Sequence, residues 1–344
     1  MSKGREIFRR VTATDVARLA GTSQSAVSRV FTPGASVSPD TRERVMAAAS
    51  QLGYRPNAIA RSLITRRSRM VAVAMAYLNN QFYPDVLEAL SNRLQAHGYQ
   101  ILLFTADRHA AADPMLEQVM RYQVDAIVLA STSLSSAFAR ECRQAGVPVV
   151  MFNRTTDDPD LLSVTGDNEQ GGHTIARFLA AGGHRRPAFL AGLEASSTSR
   201  DRERGFRRGL AEAGQGPPLR AVGHYSYEGA AEATRGLLRQ RERPDAIFCA
   251  NDHMAIACID VARHEFGLAV PDDLSVIGFD DVGPARWPSY DLTSYSQPLQ
   301  PMVDATVQIL MDCMEDRSRP MRGVVLHGEL VVRGSARCPQ GWPR

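Results

Sequence analysis

The sequence predicts an α/β protein: a two-lobed body of two doubly wound parallel sheets, preceded by an all-α helix-turn-helix head. Three observations lead there. Residues 1–69 hold 13 Lys and Arg against 4 Asp and Glu, while the rest of the chain holds 27 against 33. Within that basic segment, two short helix patterns are separated by a single glycine, Gly21. From residue 70 onward, apolar runs of strand length alternate with helical stretches, the pattern of parallel sheets covered on both faces. A length of 344 residues accommodates roughly two domains with a small extra module.

The head takes three helices. Thr12 and Asp15 have the spacing of a capping box, so a helix is expected from Ala13, with Val16, Ala17, Leu19 and Ala20 as its apolar side. Gly21 ends it at a tight turn of positive φ. Ser23 caps a second helix, in which Ala26, Val27 and Val30 face inward and Gln24, Ser25, Ser28 and Arg29 face out. Ser38 and Pro39 open a third, with a stripe of Val45, Ala48, Ala49 and Leu52 and a stop at Gly53. A basic head on an acidic body points to a polyanionic partner.

Here the chain resembles a known family. "VTATDVARLAGTSQSAVSRVF" and "VSPDTRERVMAAASQLGYRPNAIARSL" look like the lactose-repressor family of bacterial transcription regulators. The resemblance implies that Gln24, Ser25 and Arg29 read bases. Gln pairs with adenine, Arg with guanine, and Ser with either. Thr12, Ser23, Ser28, Ser38, Thr41 and Asn57 are expected on the DNA backbone, where contacts position without specifying. "YRPNAIARSL" is similar to the family's hinge helix, which implies that Leu63 wedges into the minor groove. The resemblance divides the chain into a head (1–55), a hinge helix and linker (56–69) and an effector-binding and dimerisation core (70–344). Two departures stand out: Thr32 where the family often has Asn, followed by Pro33-Gly34, and the small triplet Gln24-Ser25-Ala26 in the second helix.

In the body, "VAVAMA", "YQILLF", "DAIVLA", "VPVVMF", "PAFLAG", "DAIFCA" and "LSVIGF" read as buried strands. They form two series, giving one lobe of about 70–166 and 298–325 and another of about 167–295 and 326–340. Ligands of open parallel sheets bind beyond the carboxyl ends of the strands. Those ends carry Asn80, Asn153, Asn251 and Asp280, with Phe82 and Tyr83 as flat walls, a set suited to a hydroxyl-rich or small polar ligand. Asp252 is expected to cap the helix after Asn251. The family resemblance continues here and implies a periplasmic-binding-protein-like body. It selects Arg202, in the frame Arg-x-x-Gly-Phe, and Tyr225 as effector contacts, and reads "LTSYSQP" as the crossover back to the first lobe. Where the family usually has an aspartate, this chain has Asn153.

Other classes lack their signatures. No G-x-G-x-x-G follows the first strand, and no phosphate loop, H-E-x-x-H or G-x-S-x-G occurs. An enzyme is therefore not expected, nor a cofactor or metal. The five cysteines are dispersed without a CxxC pair, as reduced thiols would be. No apolar run approaches the ~18 residues of a membrane span, and no secretory core follows the basic N-terminus, so a cytoplasmic protein is expected rather than a periplasmic sugar binder. A nonspecific architectural DNA binder would not need so large a body. The expected protein is a homodimeric repressor on a pseudo-palindromic double-stranded operator, controlled by a small polar effector such as a sugar. No Leu heptads are present near residue 344 to add a tetramer tail.

Overall fold

In the computed structural model, residues 11–32, 34–55, 67–75, 78–105, 113–130, 141–142, 144–155, 161–316 and 322–342 are described. The chain divides into two compact units, which part between Ser68 and Arg69. The expected hinge helix, with Asn57 and Leu63, lies outside the described residues.

The first unit contains α1 (Ala13–Leu19), α2 (Gln24–Val30) and α3 (Pro39–Leu52). The capping box is formed at both ends: Thr12 N–H donates to Asp15 Oδ2 at 3.0 Å, and Asp15 N–H to Thr12 Oγ1 at 3.4 Å. Gly21 takes φ 61° at the turn, and Gly53 closes α3 in the left-handed conformation at φ 64°. Val16, Ala17, Ala20, Val27, Val30, Val45, Ala48 and Ala49 form the core. Two arginines of α3 fasten it further. Arg44 donates to Ala20 O at 3.0 Å and Arg42 to Val30 O at 3.2 Å, placing cations at the carbonyl ends of α1 and α2. Leu19, expected on the apolar side of α1, is instead 47% exposed, because the buried stripe runs through Val16, Ala17 and Ala20.

The second unit holds β1 (Met70–Met75), α4 (Phe82–Ala96), β2 (Gln100–Thr105), α5 (Asp113–Arg121), β3 (Ala126–Ala130), β4 (Val149–Phe152) and β5 (Leu162–Gly166). Then come α6 (Asn168–Ala181), β6 (Pro187–Ala191), α7 (Ser197–Glu212), β7 (Leu219–Val222), α8 (Tyr227–Leu238), β8 (Ala246–Cys249), α9 (Asp252–His264) and β9 (Ser275–Asp280). A 3₁₀ turn (Gly283–Arg286), β10 (Thr293–Ser296), α10 (Leu299–Glu315), β11 (Val324–Leu326) and β12 (Leu330–Val331) complete it. Two six-stranded sheets result, ordered β11-β5-β4-β3-β1-β2 and β12-β10-β9-β8-β6-β7. Every pairing is parallel except β10 with β12.

Alternation along β1 shows why the first sheet is covered twice. Val71, Val73 and Met75 enter one core with α4 and α10, while Ala72 and Ala74 enter another with Val119 of α5. The second lobe centres on Phe189, Phe206 and Phe248, whose ring centroids lie 5.1–6.1 Å apart. The chain passes between lobes after β5, after β10 and after β11. The stretch "LTSYSQP" is therefore two things: Thr293–Ser296 is a strand of the second sheet, and the crossover begins only at Gln297.

Candidate functional site

In the head, α2 turns Val27 and Val30 inward and leaves Gln24, Ser25, Ser28 and Arg29 exposed. Ser23 Oγ caps the helix by accepting from Ala26 N–H at 3.2 Å and lies 2.9 Å from Ser25 Oγ. Thr12 and Ser38 are the caps of α1 and α3, and Ser38 Oγ donates to Thr41 Oγ1 at 2.8 Å. Among the described residues, the side chains expected on DNA thus comprise one exposed helix face, the caps of three helices and Thr41 in the first turn of α3.

In the body, the carboxyl ends of β1, β4, β6, β7, β8 and β9 meet at a cleft between the two lobes. Asn80, Tyr83, Asn153, Arg154, Thr198, Arg202, Tyr225, Asn251 and Asp280 line it. The first lobe gives Asn80, Tyr83, Asn153 and Arg154, and the second gives the rest. The lobes touch through side chains: Arg154 Nη1 donates to Thr198 Oγ1 at 3.0 Å, and Thr155 N–H to Ser197 Oγ at 3.0 Å. Free volume inside is about 10 Å³, enough for one water. A larger occupant needs the lobes or side chains to part. Larger hollows, about 530 and 330 Å³, lie between β7 and α8 and between α8 and α9, but these are open surface depressions.

Arg202 is 2% exposed, and each of its three nitrogens has a protein acceptor. Its Nε donates to Asn168 Oδ1 at 2.8 Å, Nη2 to Asp280 Oδ1 at 3.3 Å and Nη1 to Ala250 O, while the guanidinium lies 3.7 Å from the centroid of the Phe279 ring. The frame Arg-x-x-Gly-Phe explains itself physically. A Cβ on Gly205 would sit 1.8 Å from Glu169 O, so only glycine lets α7 press onto α6, which brings Arg202 to Asn168; Phe206 enters the core. Asp280 also accepts from Gln297 Nε2 at 2.8 Å. Burial pushes its carboxyl up to about 6, against the opposing pull of Arg202 and Gln297. Burial likewise pushes the Tyr83 hydroxyl up to about 12, so it is a neutral donor.

Two expectations change. Phe82 does not wall the cleft; it is 2% exposed and packs on Phe152 at 6.5 Å, because adjacent helical residues diverge by about 100° and Tyr83 takes the cleft side. Asp252 does not cap α9. Asn251 does, accepting from Met254 N–H at 3.0 Å, while the Asp252 carboxylate accepts from Val282 N–H at 2.9 Å and Ser294 Oγ at 2.6 Å. Sequence reasoning missed Arg154 and Thr198 as cleft residues. Arg154 was legible beside Asn153 after β4, but Thr198 lies within a serine-rich run with nothing to single it out.

The sequence matches the family described as "Bacterial regulatory proteins, lacI family" over residues 12–57, and a "Periplasmic binding protein-like domain" over residues 176–336. Catabolite control protein A of Priestia megaterium is 33% identical, with 95% of this chain and 99% of that protein covered. The lac repressor dimer bound to operator and the anti-inducer ONPF is 26% identical with a TM-score of 0.85, covering 95% and 99%. The transcriptional regulator CelR in complex with cellobiose is 31% identical with a TM-score of 0.73, covering 95% and 100%. By these matches along almost its whole length, the chain belongs to the lacI family of bacterial regulatory proteins.

Proposed function

We propose that this protein is a transcriptional repressor that binds a pseudo-palindromic operator as a homodimer and is controlled by a small polar ligand held between its lobes. One observation carries the ligand reading: the cleft is built from both lobes, with Arg154 of one bonded to Thr198 of the other. Whatever fills the cleft competes with those bonds and changes how the lobes meet. A coupling of about 1–3 kcal/mol between cleft and operator would give 5–150-fold regulation.

In this reading Gln24, Ser25 and Arg29 contact base edges, and Thr12, Ser23, Ser28, Ser38, Thr41 and Asn57 hold the DNA backbone. Leu63 enters the minor groove, a role that rests on the family resemblance. Asn80, Tyr83, Asn153, Arg202, Tyr225, Asn251 and Asp280 hold the ligand. The protein acts in the cytoplasm and does no chemistry on its ligand. The lac repressor dimer on its operator and the cellobiose complex of CelR are the precedents for the partners. Among the described residues no helix is long and apolar enough to cross a membrane.

Selection from randomised duplexes tests the proposal. A twofold-symmetric site should emerge, with its affinity shifted by one member of a sugar and sugar-acid panel. Enrichment of no sequence, with or without the panel, would sink it.

A further inference from the structure

Resting on that reading of the cleft, we propose that its ligand is a hydroxylated monocarboxylate, a sugar acid, whose carboxylate pairs with Arg154.

Among the described residues, charge in the cleft is unbalanced. Two guanidinium groups line it and one carboxylate faces them. Arg202 and Asp280 are paired with each other, and each of the three Arg202 nitrogens already has an acceptor. Arg154 is different. It is 8% exposed, and among the described residues its one hydrogen bond goes to the neutral hydroxyl of Thr198. A guanidinium carries five N–H donors, and a buried cation without a counter-ion is costly. Asp280 is near enough to feel Arg154, but its ion pair is with Arg202, and its Oδ1 is held by Arg202 and Gln297. A ligand carboxylate supplies what Arg154 lacks, in the planar geometry its fork fits.

Two further features agree. Asn153 Oδ1 is buried without a hydrogen-bond partner among the described residues, in a residue held at φ 55° beside Arg154. It is an acceptor and asks for a ligand O–H. The 16-residue helix α7 starts at the cleft, and its N-cap Ser196 makes no side-chain cap bond. The positive end of its dipole is left for an anion. Hydroxyl donors together with one anionic group describe a sugar acid. A single charge is favoured over a phosphate dianion because the pocket's surplus is one cation and Asp280 would repel the second negative charge.

The test uses the full chain and matched probes: D-glucuronate with D-glucose, D-galacturonate with D-galactose, D-gluconate, and D-glucose 6-phosphate. Affinities are read by calorimetry and thermal shift. At least one acid should bind about tenfold or more tightly than its neutral counterpart. Arg154→Gln should remove that preference, and Arg154→Lys should restore part of it. A neutral sugar that matches its acid, a preference for the phosphate, no binding by any acid, or an acid preference that survives Arg154→Gln each overturns the proposal. Should Arg154→Gln fail to fold, the matched pairs on the unaltered chain decide. A neutral sugar that shifts operator affinity sinks the acid and leaves the repressor reading standing. An acid that binds without shifting operator affinity does the reverse.

Discussion

Asp280 sits at φ 117°, buried, with Arg202 and Gln297 on one carboxylate oxygen and Arg154 nearby. Its raised pKa has a consequence for stability. The folded state binds this proton more readily than the unfolded chain does. The contribution is therefore full below about 4 and is lost as pH rises through about 6. Relative to Asp280→Asn, the unaltered protein should gain up to about 3 kcal/mol between pH 7 and pH 4 in denaturant unfolding. A pH-independent difference would mean that Asp280 is not buried as a strained carboxylate. Arg29 offers a second test at this scale. It stands exposed on α2, and Arg29→Ala should change which base is preferred at one operator position. A uniform loss over all sequences would make it a phosphate contact. Residues of this kind were partly legible in the sequence. Asn153, Asn251 and Asp280 follow apolar runs, so strand ends mark them. Phe82 was misread because spacing shows that a helix begins there but not which of two adjacent aromatics faces the cleft.

Helices α6 and α7 show how an element carries a site. Gly205 allows their approach, and the approach positions Arg202. Gly205→Ala places a methyl against Glu169 O and should cost about 1–3 kcal/mol or more while weakening ligand binding. A substitution neutral in both calorimetric stability and affinity would contradict the close packing. The strands divide by the same logic of burial. Those with apolar runs were legible. Missed ones were β5, β7, β10, β11 and β12, and the reasons differ. In β7 the residues are only half-buried at a sheet edge. In β10, "TSYS" is polar yet buried: Thr293 Oγ1 donates to Arg333 O at 3.1 Å and Ser294 Oγ to Asp252. Polarity hides a core strand when its hydroxyls find partners inside. The segment 56–66 belongs to this scale by its resemblance to a hinge helix. Leu63→Ala should weaken operator binding far more than binding to random DNA in gel-shift titrations, and equal losses would reject the wedge.

Across the whole molecule, three crossing segments join the lobes, and they hold on to one another. Asp167 N–H donates to Leu326 O at 2.8 Å, Ser296 N–H to Glu329 O at 2.7 Å, and Gln297 reaches Asp280 from the second crossing. Closure of the lobes therefore bends a bonded set of segments rather than three separate linkers. Such a hinge has few ways to move, which suits a switch between two states. Charge separation completes the arrangement: a basic head for a polyanion and an acidic body that does not compete for it. The central claim is that occupancy of the cleft governs operator affinity. Its most direct test is a titration of labelled operator with the unaltered protein, with and without the ligand found by screening. Operator affinity should shift by about 5–150-fold when ligand is added. No shift despite measured ligand binding would contradict it.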